Sequence, residues 1–114
     1  MLGRNVNFTD LKKDPSILQV LEDLSVTFSD QFKIQDFWKS DLCAVGIVSK
    51  LGESSRLVYI STFRLPKGQY FVELEEVLPL SSDFPYRTTG RFESIDFQKL
   101  IEIVRQHLKL RATA

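Results

Sequence analysis

Between Arg56 and Val77 the chain alternates as two strands do on either side of a turn. The run Arg56-Leu-Val-Tyr-Ile-Ser-Thr-Phe-Arg64 is rich in β-branched and aromatic residues and leads into Leu65-Pro-Lys-Gly-Gln69. Tyr70-Phe-Val-Glu-Leu-Glu-Glu-Val77 then alternates again. Strand, Pro-x-Gly turn and strand make a β-hairpin, and its period of two decides which side chains share a face. With Pro66 and Lys67 as the central turn residues and Gly68 left-handed, Phe63 opposes Phe71, Ser61 opposes Glu73 and Tyr59 opposes Glu75. On the other side Thr62, Ile60 and Val58 oppose Val72, Leu74 and Glu76. The face holding Val58, Ile60, Val72 and Leu74 is therefore expected to form the core. The opposite face carries Tyr59, Ser61, Phe63, Phe71, Glu73 and Glu75. A slip of one residue would exchange the two faces.

The rest of the chain is read around this hairpin. Asp14-Pro15 opens a helix, with an acceptor at the cap and a proline at the first helical position, where its missing N–H costs nothing. Ile17, Val20, Leu21, Leu24 and Phe28 continue it along one face to about Thr27. Thr9 to Lys13 reads as a short helical turn before it. Residues 29–41 are ambiguous: Phe32 and Ile34 alternate as in a strand, whereas Ile34, Phe37 and Trp38 have helical spacing, and the segment is taken as a short helix capped by Asp36. Leu42 to Lys50 is apolar on both faces, which predicts a central strand covered on both sides. Gly52 lies in the turn that follows, and Gly46 and Gly90 inside strands point to a bulge or a close approach. Residues 78–85, with two prolines, form a loop. Tyr86 to Glu93 alternates with one charged face and predicts an edge strand. Phe97, Leu100, Ile101, Val104 and Leu108 then define a second helix, capped by Ser94 or Asp96.

The fold expected is α+β: a four-stranded antiparallel sheet over 42–50, 56–65, 69–78 and 86–93, flanked by an N-terminal and a C-terminal helix in two layers. The 114 residues are expected to form a single domain, 1–114.

Composition narrows the function classes. Fifteen basic and fifteen acidic residues cancel, so the excess of Lys and Arg that duplex nucleic acid or an anionic membrane would select is missing. Sheet aromatics can stack single-stranded bases, but here they stand beside Glu73 and Glu75, which repel phosphate. The sequence lacks an apolar run of membrane-spanning length and a signal-peptide pattern at Met1–Phe8, which points to a cytoplasmic protein. One Cys and one His are too few for a zinc site, no glycine-rich phosphate loop occurs, and no metal or cofactor is expected. Cys43 reads as a buried, inert thiol within an apolar strand. His107, in the last turn of the second helix, is accounted for by the helix dipole.

What remains is an aromatic content larger than a core of this size requires. Aromatics beside Arg and Glu are the composition of binding surfaces. Tyr59, Glu73 and Glu75 share a face by register, Arg87 and Arg91 by alternation, and Trp38 and Phe84 stand at the margin. Glu73 and Glu75 are expected to be solvated. These seven residues are the candidate surface for another protein, and the reading is a non-enzymatic inhibitor, immunity-type or regulatory partner that acts by occlusion. Self-association stays open. The competing reading is a small-molecule-binding or enzymatic subunit with a pocket between sheet and helix, lined by Tyr59, Trp38 and His107. A second alternative has the first helix burying Phe63 and Phe71.

Overall fold

The computed structural model describes Phe8 and residues 11–51 and 55–111. Helix α1 spans Pro15–Phe28 and is followed by a 3-10 turn at Ser29–Gln31. The strands are β1 (Phe32–Ile34), β2 (Ala44–Ser49), β3 (Arg56–Ser61), β4 (Tyr70–Val77) and β5 (Tyr86–Ile95), and helix α2 is Phe97–Leu108. The strands pair in sequence order, β1-β2-β3-β4-β5, each antiparallel to the next. The caps follow from the sequence: the Asp14 carboxylate accepts from Ser16 N–H at 3.0 Å, and Asp96 accepts from Lys99 N–H at 2.9 Å.

The sheet has five strands rather than four. Residues 32–34, expected to be near-helical, pair with Ser49, Val48 and Ile47 of β2. Phe32 and Ile34 turn toward the helices and Lys33 toward water, so alternation wins over the helical spacing of Ile34, Phe37 and Trp38. Asp36 caps no helix; its carboxylate accepts from Trp38 N–H at 3.0 Å in a side-chain turn, and Asp41 N–H closes a second turn on the Trp38 carbonyl at 3.0 Å.

Both helices cover one face of the sheet. Ile17, Val20, Leu21, Leu24 and Phe28 of α1 and Leu100, Ile103, Val104 and Leu108 of α2 close over Val45, Ile47, Val58, Ile60 and Val72. This is the face assigned to the core by alternation.

The hairpin register differs from expectation by two residues. Ser61 opposes Phe71, Tyr59 opposes Glu73 and Leu57 opposes Glu75. The connection at 62–69 holds two successive turns, Leu65 N–H to Thr62 O and Gln69 N–H to Pro66 O, both 3.1 Å, so Lys67 and Gly68 rather than Pro66 and Lys67 are central. Gly68 has φ +86°, and Arg64 is left-handed as well at φ +59°. A shift of two preserves both faces, so the face assignments of the paired residues stand, while Thr62 and Phe63, expected within the strand, lie in the turn, where Phe63 is exposed.

On β5 the alternation breaks. Glu76 faces Arg87, Glu75 faces Thr88, Leu74 faces Gly90 and Glu73 faces Arg91, which leaves Thr89 as an extra residue. Glu73 and Glu76 are three apart on β4 and point to opposite faces. Arg87 and Arg91 therefore do not share a face, contrary to simple alternation. Cys43 precedes β2 rather than lying within it and is half-buried, so it is not the enclosed thiol expected. Gly52 falls outside the described residues, as do Thr9 and Asp10 of the expected N-terminal turn. Among the described residues no helix is long and apolar enough to cross a membrane.

Candidate functional site

The second sheet face is covered neither by water nor by α1. Residues 35–43, between β1 and β2, fold back across it. They can do so because β2 carries Gly46 at the point of contact. A Cβ there would lie 2.6 Å from the Gln35 carbonyl oxygen and 2.6 Å from the Trp38 ring. The absent side chain makes the seat for the tryptophan.

A lysine from before α1 holds the segment down. The Lys13 ammonium donates to the carbonyls of Trp38 at 2.9 Å and Asp41 at 2.8 Å and pairs with the Asp36 carboxylate at 3.0 Å. Its side chain is only 3% exposed, and these three acceptors match its three protons. Nothing in the local sequence marks Lys13; its partners are distant in sequence.

Trp38 packs at a tilt against Tyr59, with centroids 4.7 Å apart, and against Tyr86 at 5.0 Å. Phe37 lies parallel to Tyr86 at 5.6 Å, and Phe71 meets Tyr59 edge-on at 6.1 Å. Tyr86 reaches this group because the Thr89 bulge keeps Tyr86, Thr88 and Arg91 on one face. Burial, followed by the nearby Asp41 charge, raises the Tyr59 pKa above its usual value.

Beside these rings lie the two glutamates. Glu73 pairs with Arg91 at 3.3 Å, and the same guanidinium stands 5.8 Å over the Phe71 ring. Glu75, expected to be solvated, is fully buried. Its row of the sheet is Leu57–Glu75–Thr88, between the Tyr59 and Tyr86 rings that Trp38 spans. Glu75 Oε1 accepts from the Thr88 hydroxyl at 2.8 Å, and Oε2 has no hydrogen-bond partner among the described residues. Burial pushes its pKa up to about 7, with the Thr88 hydroxyl opposing and neighbouring Glu73 adding to the rise. Two carboxyls side by side without a donor between them are compatible when one carries a proton.

Of the seven residues expected to form one surface, the structure therefore brings five onto or around this face: Trp38, Tyr59, Glu73, Glu75 and Arg91. Arg87 sits on the helix face, ion-paired with Glu76, whose pKa it lowers. Phe84 lies in the 78–85 loop, exposed. Lys13, Phe37 and Leu80 were missed as site residues, and Tyr86 belongs to the sheet face rather than to the loop; only the isolated Gly46 hinted at the segment that brings Phe37 and Trp38 into place.

The competing pocket is not assembled. His107 is on the helix face, where its Nε2 lies 3.2 Å from the backbone carbonyl oxygen of Glu75, and burial lowers its pKa. Trp38 and Tyr59 are on the other side of the sheet. His107 lines two other grooves, one of about 380 Å³ with Ser49, Arg56 and Lys109 and one of about 260 Å³ with Leu74, Phe92 and Ile103, and neither includes Trp38 or Tyr59. Among the described residues no cluster of three His, Cys, Asp or Glu could hold a metal. No protein-family model, curated protein or solved structure matches the chain.

Proposed function

We propose that the chain is a non-enzymatic protein-binding module that occludes a partner's surface, and that its contact is the apolar ridge Phe37–Tyr86–Phe84–Leu80. One observation carries this reading: Leu80 and Phe84, in the 78–85 loop that runs directly into Tyr86, are 105% and 69% exposed, and Tyr86 in turn stacks on Phe37. The loop is closed at its base by Leu78 N–H to the Pro85 carbonyl at 2.9 Å. Two large apolar side chains held in water by a closed loop contribute nothing to the core, and exposed large apolar side chains are what an interface uses as anchors. The two prolines of the loop, Pro79 and Pro85, restrict it before contact and so lower the entropy lost on binding.

The test is a Leu80→Ser, Phe84→Ser double variant, used with the wild type as bait in extracts of the native host. The melting temperature should be unchanged and capture of the partner lost, each side chain contributing about 1–2 kcal/mol of binding. Equal capture by a folded double variant would end the proposal for this ridge.

A further inference from the structure

Among the described residues Glu75 is the buried side chain left with an unpartnered polar atom. It has no exposed surface, yet Oε2 receives no hydrogen bond. Each neighbouring element presents a group to it, and none is a free cation. Along β4 stands Glu73, a like charge. On β5, Thr88 donates to Oε1, the Arg91 guanidinium is committed to Glu73 at 3.3 Å, and Tyr86 is next on the same face, packed against Trp38. On β3, Leu57 is directly opposite and Tyr59 is next on the same face. In the covering segment are Trp38, then Asp41, whose charge acts on Tyr59, and Asp36, which Lys13 neutralises. From the helix face His107 reaches only the Glu75 backbone carbonyl, at 3.2 Å.

Protonated, Glu75 can donate through Oε2 to Glu73, and both oxygens of Glu75 are then paired. Ionised, it places a second negative charge beside Glu73 in a site closed to water, where a buried, unpaired carboxylate is costly. Relief requires water beneath the aromatic cover, and the cover's outer ring, Phe37, is already 37% exposed.

We infer that Glu75 is a proton-operated latch. With the proton on, it bridges to Glu73 and holds the Trp38 segment closed over the sheet. With the proton off, it admits water and frees the Phe37–Trp38 turn from Tyr59 and Tyr86. The raised pKa, about 7, places the change near neutrality. Because Phe37 is part of the ridge proposed above, the latch would also tune partner binding, and that consequence alone rests on the functional reading.

The chain contains one tryptophan, Trp38, so its emission reports the latch without any partner. Emission wavelength and acrylamide quenching are followed from about pH 5 to about pH 8.5, with far-UV circular dichroism in parallel. The wild type should shift to the red and become more quenchable in a one-proton transition near neutrality, with its far-UV signal unchanged. Glu75→Gln, whose amide can donate to Glu73, should stay blue and flat. Glu73→Gln should move the midpoint to lower pH, since the like charge is gone, and His107→Gln should leave the transition in place. A flat wild type, a transition retained in Glu75→Gln or lost in His107→Gln, or a parallel loss of far-UV signal would overturn the inference. If Glu75→Gln fails to fold, an unmoved midpoint in Glu73→Gln overturns it.

Discussion

A methyl group at position 46 has nowhere to go, because backbone on one side and the Trp38 ring on the other both lie 2.6 Å away. Gly46→Ala should therefore lower the unfolding free energy by about 1–3 kcal/mol, the usual cost of overpacking, measured by urea denaturation. Gly68 makes the opposite comparison. Nothing lies within 4 Å of its missing Cβ, but its φ is +86°. Gly68→Val should cost about 1–2 kcal/mol through backbone strain alone and leave Trp38 emission unchanged, whereas Gly46→Ala should shift it. Glu75 adds a pH dependence. Its folded pKa of about 7 lies above its ordinary 4.5, so the folded state binds the proton more tightly. Its contribution is complete below the unfolded value and is lost as pH rises through the folded one, and over that window it should amount to about 1–3 kcal/mol. His107 opposes it: a lowered folded pKa gives stability that is present above the ordinary 6.5 and lost as pH falls. Asp14 and Glu76, with lowered values, act at more acid pH. The difference between wild type and Glu75→Gln should thus fall as pH rises from about 4.5 to about 7, and chemical denaturation at matched pH values measures it. A constant difference would contradict the assignment of the raised pKa.

At the scale of elements, the covering segment 35–43 is held from outside itself. Its turns are local, but its attachment is Lys13, which reaches carbonyls 25 and 28 residues away. Lys13→Met keeps the length of the stem and removes the charge, leaving the Asp36 carboxylate and two carbonyls without their donor. The expected loss is about 2–4 kcal/mol, accompanied by a red shift of Trp38 emission. Asp36→Asn, which keeps a polar group at the lysine, should cost less. The same contrast explains what the sequence revealed. Both helices, their Asp caps and the two faces of the β3–β4 hairpin follow from local periodicity and cap chemistry. Those signals are repeated over many residues, and the hairpin faces tolerate a register shift of two. β1 was hidden because its three residues are too few for alternation to outweigh the helical spacing of Ile34, Phe37 and Trp38. The burial of Glu75 was hidden for a different reason. Alternation places it on the correct face, but what covers that face depends on Lys13, Gly46 and Trp38 meeting across the fold, and no local pattern connects them. Arg87 was misplaced by the Thr89 bulge, which a simple period of two does not anticipate.

Across the whole molecule the packed aromatic residues divide into two populations with different duties. Phe8, Phe28 and Phe32 belong to the core beneath the helices, and Trp38, Tyr59, Phe71 and Tyr86 to a smaller packed layer on the opposite face. Phe63, Phe84 and Leu80 belong to neither and stand in loops. The β5 edge of the sheet offers a partner little: the strand is bulged and carries Arg87, Arg91 and Glu93, devices that discourage strand pairing. An excess of aromatics is therefore not by itself a binding surface, because part of it is spent on closing a second face that α1 and α2 leave open. This division corrects the expectation that Tyr59 and Trp38 are free anchors. Tyr59 touches both Trp38 and Phe71, so Tyr59→Ala removes two ring contacts and opens a void over β3. It should lower the unfolding free energy by about 2–4 kcal/mol and loosen Trp38 with it. Phe84 is 69% exposed and packs against neither layer, so Phe84→Ala should change stability by less than about 0.5 kcal/mol. Thermal denaturation of the two variants beside the wild type separates the duties. A large fall for Tyr59→Ala and none for Phe84→Ala places stability in the sheet layer and leaves Phe84 without a structural duty, and the reverse order would mean that the 78–85 loop is itself part of what holds the sheet closed.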